Sequence, residues 1–277
     1  MQWPFIPGGN YNRQLDIHQQ FGGQERSGIS TPSAYPCVFL FTGSSGEQHG
    51  YADRFEADGT FKYSGEGQVG DMQMLRGNLA IREHARNGKD LLLFQTFGKS
   101  RPIRFLGIFV CAGWTIERQP DTNGNDRAAV VFALVPASTV NDALVEAVPH
   151  TPTAALSLTE MRVKAIASAT VTSQSPSTAI AAVFTRSQAI RDYVLARSGG
   201  RCERCETAAP FTTRNGTPYL EVHHIRRLSD GGPDHPSYVA GLCPNCHREA
   251  HHGGSAQDLN RQLLDIVAKL EANPTTH

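Results

Sequence analysis

Between residues 202 and 252 the chain concentrates side chains that bind metals. It reads Cys202-x-x-Cys205, then Glu221-Val-His-His-Ile225, then Cys243-Pro-Asn-Cys246-His247-x-x-x-His251. The two C-x-x-C pairs, separated by residues 206–242, are metal-ligand pairs on spacing alone, because four thiolates complete a tetrahedral zinc shell with no position left open. A closed shell is structural. The histidines are therefore left for something else, and six of the chain's eleven lie between residues 223 and 252. His247 and His251, at i and i+4, fall on one face of a helix. Strand alternation sends His223 and His224 to opposite sides. One of that pair can share a metal with the helix while the other faces a water molecule. Such a division suits phosphodiester hydrolysis, with a metal on the scissile phosphate and a neutral imidazole deprotonating the attacking water.

The elements that must position these residues occupy the C-terminal third. A helix capped at Thr185 and stopped by Gly199-Gly200 precedes the first cysteine pair, and a strand follows through Leu220–Ile225. A polar loop with Gly231-Gly232-Pro233 leads to a helix from about Pro244, and a last helix covers about Gln257–Leu270. Upstream, residues 136–183 are rich in Ala, Ser, Thr and Pro and read as a linker, with a short helix opened by the capping box Ser157-x-x-Glu160 and running to about Ala169. Residues 1–135 hold short apolar runs bounded by turns, Cys37–Phe41, Leu91–Phe97, Arg104–Cys111 and Ala128–Leu134, which read as strands. One helix signal, Met72–Ala85, interrupts them. The fold class is α+β: an N-terminal domain with a curved sheet or barrel over residues 1–138, a helical linker over 139–184, and a C-terminal ββα-metal zinc domain over 185–277.

Composition sets outer limits. With 26 basic and 26 acidic residues the chain is neutral, so charge alone does not coat it onto nucleic acid and local geometry must supply the affinity. No apolar run approaches the length of a membrane span, and Met1-Gln-Trp-Pro-Phe has neither a basic nor an apolar leader region. Cysteines in metal spacing fit a reducing compartment, so the expected location is the cytoplasm, with no membrane partner. Cys37 and Cys111 read as core residues, and His235 and His252 as surface residues.

Residues 200–252 resemble the HNH endonucleases, on Glu221-Val-His-His-Ile225, Ser229-Asp-Gly-Gly232 and Leu242-Cys-Pro-Asn-Cys-His247. The resemblance implies general-base work by His224, a catalytic divalent ion such as Mg²⁺ or Mn²⁺ on His223 and His247 with His251 as a further candidate ligand, and structural Zn²⁺ on Cys202, Cys205, Cys243 and Cys246. One position departs: the family's middle Asn, which braces the loop orienting the base, is replaced by Tyr238. A tyrosine there braces through its hydroxyl, takes part in catalysis, or marks a weakened site.

The order of motifs over about residues 13–135 resembles the SRA domains, which read modified cytosine by flipping it out of the duplex. These motifs include Tyr51-Ala-Asp53, Phe61-Lys-Tyr-Ser-Gly-Glu-Gly67 and Gly77-Asn78. The resemblance implies a base pocket in which Tyr51 and Tyr63 replace lost stacking, a carboxylate such as Asp53 accepts from the cytosine amine, and Ser64 meets the remaining edge. The family's acidic residue falls one place later, where this chain has Arg54. The plain alternative is that these aromatics are sheet core. Together the two resemblances imply a modification-dependent restriction endonuclease acting on double-stranded DNA that contains 5-methylcytosine or 5-hydroxymethylcytosine, as a homodimer. A nuclease indifferent to modification and a non-cutting reader are the alternatives.

Overall fold

The apolar runs of the first half become strands because both of their faces are covered. In the computed structural model, which describes residues 3–43, 53–98, 100–139, 156–169, 179–226 and 234–272, the strands are β1 (Asn10–Tyr11), β2 (Ile29–Ser30), β3 (Cys37–Thr42), β4 (Arg54–Phe55), β5 (Phe61–Ser64), β6 (Asp90–Gln95), β7 (Ile103–Pro120) and β8 (Asp126–Pro136). They form one sheet in the order β2-β3-β6-β7-β8-β5-β4, with β1 on β7. Only β3 and β6 run parallel among the paired strands of this sheet. Alternation explains their uninterrupted hydrophobicity. Val38, Leu40, Leu91 and Leu93 enter one core with Ile81, Phe109 and Phe132, while Phe39, Phe41, Leu92 and Phe94 enter the other with Trp3, Phe5 and Phe105. Cys37 and Cys111 are buried, one in each core, as expected.

Register shifts at Leu93/Phe94 and Cys111/Gly113 curve the sheet without closing it, so it is an open curved sheet and not a barrel. β7 runs well beyond Cys111, because it pairs with β8 as a long hairpin from Phe109↔Pro136 to Pro120↔Asp126. The turn is held by Asp121, whose Oδ1 accepts from the amides of Asn123 and Asn125. The expected helix at Met72–Ala85 shrinks to Arg76–Arg82. The Met72 amide is bonded to the Ala128 carbonyl on β8, and Arg76 takes a positive φ of 48°, so the chain cannot coil earlier.

Helices are numbered α1 (Gln19–Phe21, continuing a π-helical turn at Arg13–His18), α2 (Arg76–Arg82), α3 (Leu158–Ala169), α4 (Ala179–Arg197), α5 (Pro244–His252) and α6 (Ala256–Ala272). The chain forms two compact units, the first holding the sheet and the second holding α3 and the chain from Phe184. In the second, the capping box opens α3 as expected: the Ser157 amide donates to Glu160 Oε2 at 2.7 Å. Helix α4 begins at Ala179 rather than at Thr185, since Ala-Ile-Ala-Ala needs no cap to coil. Ala165 and Ala169 of α3 pack with Tyr193, Val194, Val222 and Val239. Strands β9 (Glu221–His224) and β10 (Val239–Leu242) form a hairpin, with His223 opposite Ala240 and His224 opposite Val239.

A buried arginine ties this unit together. Arg197, 2% exposed, donates to Glu203, to Glu271 of α6, and to the carbonyls of Pro236 and Val239. Glu203 in turn accepts from the Gly241 amide. Every strong donor and acceptor in this hub has a partner, and breaking such a buried pair from one side costs about 3–5 kcal/mol. Among the described residues, no helix is long and apolar enough to cross a membrane.

Candidate metal centres and base pocket

The four cysteines converge. Gly199 and Gly200, both at positive φ, end α4 and turn the chain into a knuckle closed by Cys202 N–H to Thr207 O at 2.9 Å. Cys243 occupies the N-cap of α5, with Pro244 at its first position, so the second pair rides the start of that helix. All four Sγ atoms lie within 4.8 Å of one another, and Cys205 and Cys243 are 3.9 Å apart. Bonds of 2.3 Å in a tetrahedral zinc shell place sulfurs about 3.8 Å apart, so the donor set and spacing fit a metal of that kind. Burial raises Cys202 and pushes Cys246 up to about 12, whereas Cys205, against its own desolvation, is drawn down to about 6 by its hydrogen bonds with Thr207 and neighbouring thiols. Arg204 staples the knuckle to α5 through a bidentate pair with Glu249, at 2.6 and 3.1 Å.

The histidines form a second cluster. Nitrogens of His223, His247 and His251 lie within 4.8 Å of one another, with His251 Nε2 3.2 Å from His223 Nδ1 and 3.1 Å from His247 Nε2. Two residues outside the motif set which nitrogen points inward. Asn260 of α6 donates its amide to the Ala250 carbonyl, which turns its Oδ1 toward His223 Nε2 at 2.8 Å. That contact needs a proton on Nε2 and leaves the His223 Nδ1 lone pair for the cluster. Glu221 Oε2 takes His247 Nδ1 at 2.5 Å and frees Nε2 in the same way, while its other oxygen accepts from Tyr219. Burial, then the neighbouring His251, His247 and His224, lowers His223 to about 3, so its imidazole is neutral near pH 7 and able to ligate.

His224 lies apart from this triad, 3% exposed, with Nε2 at 3.3 Å from Asp234 Oδ1. Tyr238 ends a single 3-10 turn, Pro236–Tyr238, and its carbonyl accepts from the Ile225 amide. His235 is not a surface residue. It is 8% exposed, and its Nδ1 caps that turn by accepting from the Ser237 amide at 3.2 Å. His252 is exposed.

In the first unit, Asp53, Tyr63 and Ser64 line one cavity of about 330 Å³ together with Thr42, Phe41 and Arg13. Tyr51 lies outside the described residues. Asp53 is anchored on both oxygens, Oδ1 accepting from the Ser64 amide and Oδ2 from the Thr42 hydroxyl, each at 2.7 Å. Burial raises its pKa despite these bonds. Tyr63 serves pocket and core at once: its ring is 2% exposed and its hydroxyl donates to the Gly28 carbonyl. Phe41 and Arg13 were not expected here. The Arg13 guanidinium carbon sits 3.6 Å above the Phe41 ring centroid. The pocket's lower rim depends on glycine. A Cβ on Gly65 would meet Asn78 Oδ1 at 2.5 Å, and Asn78 must reach that far because it binds the Glu66 amide and carbonyl.

The sheet with its pocket and the ββα unit with its two ligand clusters together define a two-part SRA–HNH protein. Residues 7–157 match the ScoMcrA-like SRA domain and residues 202–253 match the HNH endonuclease. The first match spans more than half of the chain, which therefore belongs to the ScoMcrA-like SRA-domain family. Over 89 residues the chain is 42% identical to the type IV methyl-directed restriction enzyme EcoKMcrA of Escherichia coli (strain K12), a stretch that covers 32% of each. Among solved structures it is similar to the type IV phosphorothioation-dependent restriction endonuclease ScoMcrA, at 23% identity and a TM-score of 0.40 over 98% of this chain and 61% of that one. It is also similar to the SRA domain of SUVH5 in a complex with hemi-methylated CG DNA, at 15% identity and a TM-score of 0.37 over 49% and 90%. The match thus spans about a third of the curated relative and under two thirds of the longer solved chain.

Proposed function

We propose that this chain is a modification-dependent DNA endonuclease: residues 1–138 read a flipped modified cytosine, 139–184 link, and 185–277 cut. The observation that carries the proposal is the division of labour on β9, where His223 joins His247 and His251 while its neighbour His224 stands apart, buried and in contact with Asp234. His223, His247 and His251 would hold Mg²⁺, Mn²⁺ or another divalent transition metal, the all-imidazole donor set favouring the last, and such an ion would supply positive charge against the scissile phosphate and the leaving oxygen. His224 takes a proton from the attacking water, whose oxygen forms the new bond to phosphorus as the bond to the leaving oxygen breaks. The four cysteines hold Zn²⁺. Tyr238 supports the loop beside His224 through its backbone carbonyl. Cutting both strands needs two such sites, or one acting twice, which fits a homodimer, and cysteines in metal spacing fit a reducing, cytoplasmic setting.

The reader half rests on the pocket. Its volume is at the small end of ligand cavities, suited to one base rather than to a large cofactor. The Ser64 amide, the Ser64 hydroxyl and the Thr42 hydroxyl take three of the lone pairs on the Asp53 carboxylate, which leaves one for the cytosine N4 amine. Phe41 and Tyr63 line the pocket, and Tyr51 is the further aromatic expected from the sequence. The curated relative's description as methyl-directed agrees with this substrate class. The test is a titration of the full chain carrying His224→Ala against duplexes that are unmodified, methylated, hydroxymethylated or phosphorothioated. Methylated or hydroxymethylated duplex binds tightest, and adding Asp53→Ala weakens that binding by about 1–3 kcal/mol, the value of one good base-edge contact. Equal affinity for all four duplexes, or preference for phosphorothioate, contradicts the cytosine reading.

A further inference from the structure

His223 and His247 each have one ring nitrogen held by an oxygen, from Asn260 and Glu221. His224 repeats the pattern with a different outcome. Its Nε2 faces Asp234 Oδ1, and its Nδ1 is buried with no hydrogen-bond partner among the described residues. Asp234 is itself 2% exposed, and its second oxygen accepts from the Ser187 hydroxyl of α4 at 2.6 Å. An ionised carboxylate only accepts, so the contact requires the proton on Nε2 and leaves the lone pair on Nδ1. The position of Asp234 is fixed from its other side as well. It precedes the turn capped by His235, and the Pro236 carbonyl in that turn is bonded to Arg197. Among the described residues Nδ1 is thus the ring atom left to take a hydrogen bond from a water molecule.

We infer that Asp234, braced by Ser187, is the positioning residue for His224: it fixes the Nε2–H tautomer, presents Nδ1 as the proton acceptor, and stabilises the imidazolium once Nδ1 has taken the proton from water. The inference rests on the reading of His224 as general base, and it assigns to Asp234 the bracing that the sequence pattern would have given to residue 238. The 3.3 Å separation is long for a charge-assisted bond and shortens once the ring is charged, as such contacts do between resting and reacting states.

Asp234→Asn tests this in the full chain. It is nearly isosteric, but it removes the charge and lets an amide proton face Nε2. Cleavage is measured in single turnover with excess enzyme for wild type, Asp234→Asn, His224→Ala and the double variant, alongside duplex binding and the imidazole nitrogen resonances of His224. Asp234→Asn lowers the rate by about 10²–10⁴-fold, the range that general-base function is worth, with duplex affinity within about twofold. In the His224→Ala background it changes nothing further, because a residue that acts only through His224 has nothing left to act on. The His224 resonances report Nε2–H in wild type and lose that single tautomer in Asp234→Asn. Near-wild-type cutting by Asp234→Asn, additive losses in the double variant, or an unchanged tautomer overturns the inference while a dead His224→Ala keeps the nuclease reading. Full cutting by His224→Ala removes both. Should Asp234→Asn misfold, Ser187→Ala keeps the carboxylate but unpins it, and a several-fold rate loss that vanishes in the His224→Ala background is expected.

Discussion

Replacing His224 by alanine lowers the single-turnover cleavage rate by at least about 10²-fold, and up to about 10⁴-fold, while duplex binding stays within a factor of two. The asymmetry follows from geometry. Among the described residues the His224 ring makes its hydrogen-bond contact with Asp234 and is not one of the three clustered imidazoles. Removing it leaves the metal-binding nitrogens of His223, His247 and His251 where they are, so affinity for the ion and for DNA survives and only the proton-transfer step suffers. His223→Ala gives a different signature, since it opens the triad: cutting is lost together with divalent-ion binding. A rate near wild type for His224→Ala, with normal folding, contradicts the assignment of the base.

Loss of the cysteine-held metal has the largest effect on stability. Cys202, Cys243 and Cys246 are themselves buried members of the second unit's apolar cluster, next to Leu242, Leu259 and Leu263. The metal shell is thus built into the unit's core. In zinc-finger peptides structural zinc supplies about 10–16 kcal/mol of apparent binding energy at neutral pH, a term large against the net stability of a single domain. Cys202→Ser, or a strong chelator, therefore melts α5 away from the β9–β10 hairpin and takes His247 and His251 with it. Thermal unfolding followed with and without chelator reads this directly: the transition of the second unit disappears, and that of the first unit remains. A second-unit transition unmoved by chelation contradicts a structural metal.

Local spacing made most of the second unit legible. Two C-x-x-C pairs, an i,i+4 histidine pair and adjacent strand histidines each carry their geometry within one turn or one dipeptide. The residues that orient those imidazoles had no such signal. Asn260 meets His223 across 37 positions, Ser187 meets Asp234 across 47, and no periodicity links either pair. His235 reads as a surface residue in the sequence, and the capping bond that buries it depends on the turn's three-dimensional closure. In the first unit, alternation revealed the strands but not which wall of the sheet opens to the cavity. Asp53, Tyr63 and Ser64 were found because they sit in a motif. Phe41 was hidden inside a run that reads as core, and Arg13 inside a π-helical turn that has no sequence signature. The length of β7 was underestimated because its second half is half-exposed and alternates weakly, and pairing with β8 extends it.

The central claim is that cutting depends on a modified cytosine. One plasmid, prepared unmodified, methylated at cytosine and hydroxymethylated at cytosine, is incubated with the full chain and Mg²⁺ or Mn²⁺, and the products are followed over time. The account predicts cleavage of one or both modified forms, an intact unmodified plasmid over the same period, and no cleavage of any form by His224→Ala. Cleavage of the unmodified plasmid at the same rate as the modified ones would contradict it.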